Sequence, residues 1–123
     1  MGANSVFASA PEVFTGDPQS VAQTTATLPG YLNSTGDPAS VDVSIQYGRR
    51  AGATCVVSDV TANTAQAGNL TAEGVFSANV SGLSANTWYC YRAQATNTMG
   101  DDFGDIIEFQ TCLLYTSPSP RDA

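Results

Sequence analysis

The sequence predicts an all-β fold, and three observations carry that reading. Val41, Val43, Ile45 and Tyr47 alternate with Asp42, Ser44 and Gln46, a period of two that gives a strand one apolar and one polar face. Tyr89, Tyr91, Ala93 and Ala95 alternate in the same way with Cys90, Arg92, Gln94 and Thr96. Helical periodicity is missing, while short alternating runs recur with Gly, Asn, Asp or Pro between them.

Pro11-Glu12-Val13-Phe14 reads as a first, edge strand, where a proline is tolerated. Residues 24–32 form the second, with Ala26, Leu28, Gly30 and Leu32 on one face. Pro29 falls inside it, removes a ladder donor, and predicts a bulge or an early end. The run from Val41 is the third. Residues 54–59 read as a weaker strand, and residues 62–71 are too small and polar to assign. Phe76, Ala78 and Val80 are the inward row of the next strand, which ends at a turn around Gly82. The long strand after Trp88 follows, and Ile107 and Phe109 supply the inward row of the last. Thr-Gly-Asp-Pro-x-Ser-Val occurs at residues 15–21 and 35–41, which reads as one turn solution used twice.

The segment Gly82-Leu83-x-x-x-Thr87-x-Tyr89-x-Tyr91-Arg92-x-x-Ala95-x-Asn97 resembles the sixth strand of the fibronectin type III family. More closely, the chain resembles the variant repeated in tandem in large bacterial and archaeal surface proteins. Thr25-Ala26-Thr27-Leu28-x-Gly30, Val43-x-Ile45-x-Tyr47-Gly48, Phe76-x-Ala78-x-Val80-Ser81-Gly82-Leu83 and Gly104-Asp105-x-x-x-Phe109-x-Thr111 match other strands of that variant. The resemblance spans residues 11–111. It implies an immunoglobulin-like, two-sheet antiparallel sandwich of about seven strands, with Leu83 and Tyr89 forming a tyrosine corner. The inward tryptophan of animal members is replaced by Gly30, and no Arg-Gly-Asp tripeptide occurs. The expected core is Val13, Ala26, Leu28, Val43, Ile45, Tyr47, Phe76, Val80, Leu83, Tyr89, Tyr91 and Phe109.

Both termini read as foreign to this domain. Residues 2–9 align weakly with residues 104–111, as the closing strand of a preceding repeat would, so residues 1–10 are read as such a strand or a linker. Residues 112–122, Cys-Leu-Leu-Tyr-Thr-Ser-Pro-Ser-Pro-Arg-Asp, resemble translated sequencing-library adapter, so 112–123 is read as a non-native, disordered tail.

Composition excludes several functions. The chain has no histidine and no lysine and a formal net charge of -7, so nucleic acid and anionic membrane surfaces are disfavoured partners. Ser-His-Asp, Cys-His and Ser-Lys arrangements are impossible, and Glu12, Glu73 and Glu108 form no recognisable carboxylate pair. No cofactor motif is present. Asp101, Asp102 and Asp105 form a weak calcium candidate that fits no EF-hand spacing and reads better as a solvated acidic turn. Asn33, Asn69 and Asn79 head N-x-Ser/Thr sequons, with Asn33 expected at an accessible turn. Trp88 and Arg92 could offer a sugar-stacking surface, but packing under a loop for Trp88 and pairing of Arg92 with Asp42 or Glu108 are the simpler readings.

With Cys112 set aside, Cys55 and Cys90 remain. If residues 54–59 pair as the next strand, the two lie two strand spacings apart, about 9.6 Å, beyond the ~7 Å reach of a disulfide. A bridge therefore requires residues 52–56 to fold back over the outer face of the sheet, and both outcomes stay open. The resemblance implies a non-catalytic spacer and display module of a secreted or cell-surface protein, with neighbouring domains, other surface proteins or glycans as partners. An accessory domain beside a polysaccharide-degrading enzyme, or a carbohydrate-binding module, is the alternative.

Overall fold

In the computed structural model, residues 10–37 and 39–112 are described. They form eight strands and one short helix: β1 (Glu12–Thr15), β2 (Ala26–Ser34), β3 (Val41–Arg49), α1 (Val57–Val60), β4 (Asn63–Leu70), β5 (Gly74–Val80), β6 (Trp88–Asn97), β7 (Gly100–Phe103) and β8 (Ile107–Gln110). One sheet has the order β1-β2-β5. The other has the order β4-β3-β6, with β7 and β8 sharing the free edge of β6. All pairings between these strands are antiparallel, and the fold is an all-β, two-sheet sandwich.

Several local expectations are corrected. β2 runs through Pro29 with unbroken register against β5. Thr27 exchanges both backbone bonds with Gln19, and the Pro29 carbonyl accepts from the Gly16 N–H at 3.0 Å. The proline nitrogen therefore faces the side where the first strand gives way to the 16–19 loop, so no ladder bond is lost. The two Gly-Asp-Pro segments are not one turn: Gly36 has φ +68°, whereas Gly16 lies outside the left-handed region. Residues 54–59 are no strand, since they bend and enter α1. Residues 63–70, unassigned from sequence, pair with β3 as β4. Asp101 and Asp102 stand in a strand, not a turn. The expectation for residues 1–9 and for 113–123 lies outside the described residues. Cys112 itself is tied in through its backbone, donating to Ala22 O and accepting from Asn86 N, each at 2.9 Å.

The core lies between the sheets, and Leu28, Leu32, Val41, Val43, Ile45, Tyr91, Ala93 and Ala95 are fully enclosed. Tyr47, expected inside, is only half-buried against the cluster's rim. The missing inward tryptophan is compensated from β5. A Cβ on Gly30 would meet the Phe76 ring at 2.5 Å, so the ring occupies the space that a β2 side chain would fill. Tyr89 stacks on Phe109, and Tyr91 meets the same ring edge-on, both at 5.7 Å between centroids. The Tyr89 hydroxyl accepts from the Ser84 N–H at 2.8 Å, over buried Leu83, closing the connection between the sheets. The Tyr91 hydroxyl donates to the Gly16 carbonyl.

The two cysteines are joined by a disulfide with Cα atoms 5.8 Å apart. Cys90 has outward parity on β6 yet is fully buried, because residues 50–62 cross the outer face of β3 and β6 before β4 begins. The crossing is laid on Gly48, the β3 partner of Cys90, where a Cβ would stand 2.0 Å from the Asp59 carbonyl oxygen. Buried Asp59 organises this lid. Its carboxylate accepts from Val56 N at 3.1 Å and Ala51 N at 3.4 Å and lies 3.7 Å from the Cys90 sulfur. The bond back to Val56, the residue before the helix, satisfies a donor that α1 cannot.

Leu83→Ala should cost on the order of 3 kcal/mol, and Tyr89→Phe, which only orphans the Ser84 N–H, about 1–2 kcal/mol, both read from urea melts. Burial foremost, and Asp17 second, push the Tyr91 hydroxyl above the usual tyrosine range. Its neutral form is favoured in the folded state, so this contribution is complete below pH about 10 and is lost as the pH rises beyond it. Tyr91→Phe should flatten that alkaline decline in unfolding free energy. For the lid, replacing both Cys55 and Cys90 by Ser should cost about 3–4 kcal/mol, given a loop closed over 35 residues. Gly48→Ala should destabilise by several kcal/mol through overpacking against backbone. Denatured but unreduced protein should titrate with one free thiol per chain, that of Cys112.

Candidate functional site

Among the described residues, no three His, Cys, Asp or Glu groups come together to hold a metal. Asp101 and Asp102 are successive strand residues and so point to opposite sides of β7. The Asp102 carboxylate is engaged by the Val13 N–H at 2.8 Å, and Asp101 and Asp105 are exposed. The three do not form one oxygen cage.

Trp88 and Arg92 are kept apart by the lid, since Cys90 stands between them on the outer side of β6 and is covered. Trp88 carries the Arg50 guanidinium over its ring at 4.6 Å, and Arg50 bonds Glu108 at 2.7 Å. Arg92 pairs with neither Asp42 nor Glu108. It donates to Gln46 Oε1 at 2.8 Å and lies 3.9 Å above the Phe103 ring. Ser44, outward in parity, is enclosed by its bond to Gln94 at 3.1 Å. The outer face of the five-stranded sheet is thus occupied by its own polar pairs and by the lid.

The outer face of the three-stranded sheet is different. Phe14 pairs with Tyr31, and Tyr31 pairs with Val75, so the three form one row across β1, β2 and β5. They are 50%, 40% and 77% exposed. Above the row, Asn33 donates to Glu12 Oε1 at 2.7 Å; below it, Thr27 donates to Asn79 Oδ1 at 2.8 Å. Asn33 thus sits in β2, not at a turn, and shares this face with Asn79, whereas Asn69 lies on β4 and bonds Asp42 and Ser40. Sequence reasoning missed the row, although a signal existed. Val13-Phe14, Tyr31-Leu32 and Val75-Phe76 are adjacent apolar pairs, and in a strand one member of each must face out.

No protein-family model and no curated protein matches the chain. Solved structures do. The sensor domain of the anti-sigma factor RsgI4 from Pseudobacteroides cellulosolvens superposes with a TM-score of 0.61 at 14% identity, covering 89% of this chain and 96% of that one. The fibronectin type III domain of human fibronectin type III domain containing protein 3 gives 0.55 at 15% identity, covering 92% and 94%. The third such domain of the human KIAA0343 protein gives 0.55 at 15%, covering 97% of each. At such identities the likeness shows the fold alone: an all-β, two-sheet antiparallel sandwich with the topology of fibronectin type III and immunoglobulin-like domains.

Proposed function

We propose that the domain is a structural and adhesive module of a larger secreted or cell-surface protein, acting as spacer and display platform and repeated in tandem. The observation that carries this reading is where the chain enters and leaves the sandwich. Ala10 lies beside Gly100, at the far end of β6, since a Cβ on Gly100 would be 3.6 Å from that of Ala10. Thr111, the last residue of the domain, donates to the Thr87 carbonyl at 3.0 Å, just before β6 begins. The ten residues of β6 separate these ends by about 30 Å. Copies joined through such ends extend in a line. The covered Cys55–Cys90 bridge suits an oxidising compartment.

Two copies joined in tandem should scatter X-rays as an elongated particle, close to twice the length of one domain. A compact, side-by-side pair would overturn the spacer reading. The flanking coding sequence separates the alternative: further copies of the Gly-Leu-x-x-x-Thr-x-Tyr strand support the repeat, and an adjoining hydrolase domain supports the accessory role.

A further inference from the structure

We propose that Asn33 is an N-glycosylation site whose first sugar lies on the exposed Tyr31–Phe14 row. The inference rests on the secreted reading above, because the modification belongs to exported chains. Asn33-Ser34-Thr35 is an acceptor sequon, and Asn33 is exposed on the outer face of β2. The sequon alone is weak, and its setting is what distinguishes it. Residues two apart in a strand share a face and stand about 7 Å apart. The residue two before Asn33 is Tyr31, whose ring is exposed and has Phe14 directly across the ladder. The corresponding residues before Asn69 and Asn79 are Ala67 and Ser77, which offer no ring.

The occupant fits the face in charge and in shape. Arg49, Arg50 and Arg92 all belong to the other sheet or its lid, and Glu12 is already engaged, so nothing here attracts an anion. A pyranose is uncharged, with a C–H face that suits an aromatic ring and hydroxyls left to water. The Asn33 amide nitrogen has two hydrogens, one bonded to Glu12. After substitution it keeps one, enough to retain that bond and hold the linkage over Tyr31. In the transfer, the Asn33 amide nitrogen attacks the anomeric carbon of a lipid-pyrophosphate-linked oligosaccharide. The C–N bond forms as the C–O bond to pyrophosphate breaks, the lipid pyrophosphate leaves as the anion, and the nitrogen gives one proton to the transferase's base. No electrons change hands.

The test uses the full chain carrying Asn69→Gln and Asn79→Gln, secreted from eukaryotic cells and also made in a bacterial periplasm without the transferase. Glycopeptide mass spectrometry should find Asn33 occupied in most secreted chains. After trimming to a single N-acetylglucosamine, the melting midpoint should exceed that of the periplasmic protein by about 4 °C. Tyr31→Thr should keep the modification and lose the increment, and Asn33→Gln should lose both. A secreted, disulfide-bridged chain bare at Asn33 would overturn the inference while leaving the spacer reading intact, as would an equal increment in Tyr31→Thr. A chain retained in the cell and reduced would overturn the secreted reading itself. Sedimentation of the bare protein as a dimer that Phe14→Ser dissolves would show that a second copy covers the row instead.

Discussion

Every part of this domain is arranged around the need of β6 for partners on both edges. One edge is paired with β3 along eight residues. The other is shared: β8 pairs with Trp88 to Tyr91 and β7 with Gln94 to Asn97, leaving Ala93 facing a gap. A buried peptide group without partners costs more than a hydrogen bond returns, so the gap has to be filled. Thr15 of β1 accepts the Ala93 N–H at 3.0 Å, and Gly104 donates to the Ala93 carbonyl at 2.9 Å. The two fillers also touch: a Cβ on Gly104 would lie 2.3 Å from the Thr15 hydroxyl oxygen. The strand of one sheet thereby completes the ladder of the other. Together with the Tyr91–Gly16 bond, this fixes how the two sheets meet.

The strands with clean alternation were legible because burial on one face imposes a period of two. β3, β5 and β6 are read straight from Val41 to Tyr47, Phe76 to Val80 and Tyr89 to Ala95. β4 was not, since an edge strand of Asn, Thr, Ala, Gln and Gly has little apolar face to display. Residues 54–59 misled for a related reason. Cys55, Val56 and Val57 look like strand formers, yet their course is set by the disulfide, by Asp59 and by the bare surface of Gly48, none of them local signals. Of the surfaces, the acidic residues were visible and do not assemble. The apolar row was present in three adjacent pairs whose outward members only the cross-strand register brings together.

Glycine has two opposite uses in this sandwich. Gly30 yields interior space to Phe76, so a large ring from β5 covers the middle of β2. Gly48 yields exterior space to Asp59, so a loop can lie flat on a sheet that would otherwise be held off by a side chain. The first substitutes for a core residue and the second makes room for a covalent clasp. Both replace an expected side chain by a contact from elsewhere in the sequence, which is why neither is visible in the local pattern.

The Cys55–Cys90 bond also limits how far the domain can be stretched. With entry at Ala10 and exit near Thr87, a pull on the chain reaches the bridge from both sides. The 35-residue span between the cysteines is then bypassed, and the unravelled oxidised domain falls short of the reduced one by roughly 120 Å. A file of such modules would stop lengthening early under tension, and the oxidation state of one covered bond per module would set its reach.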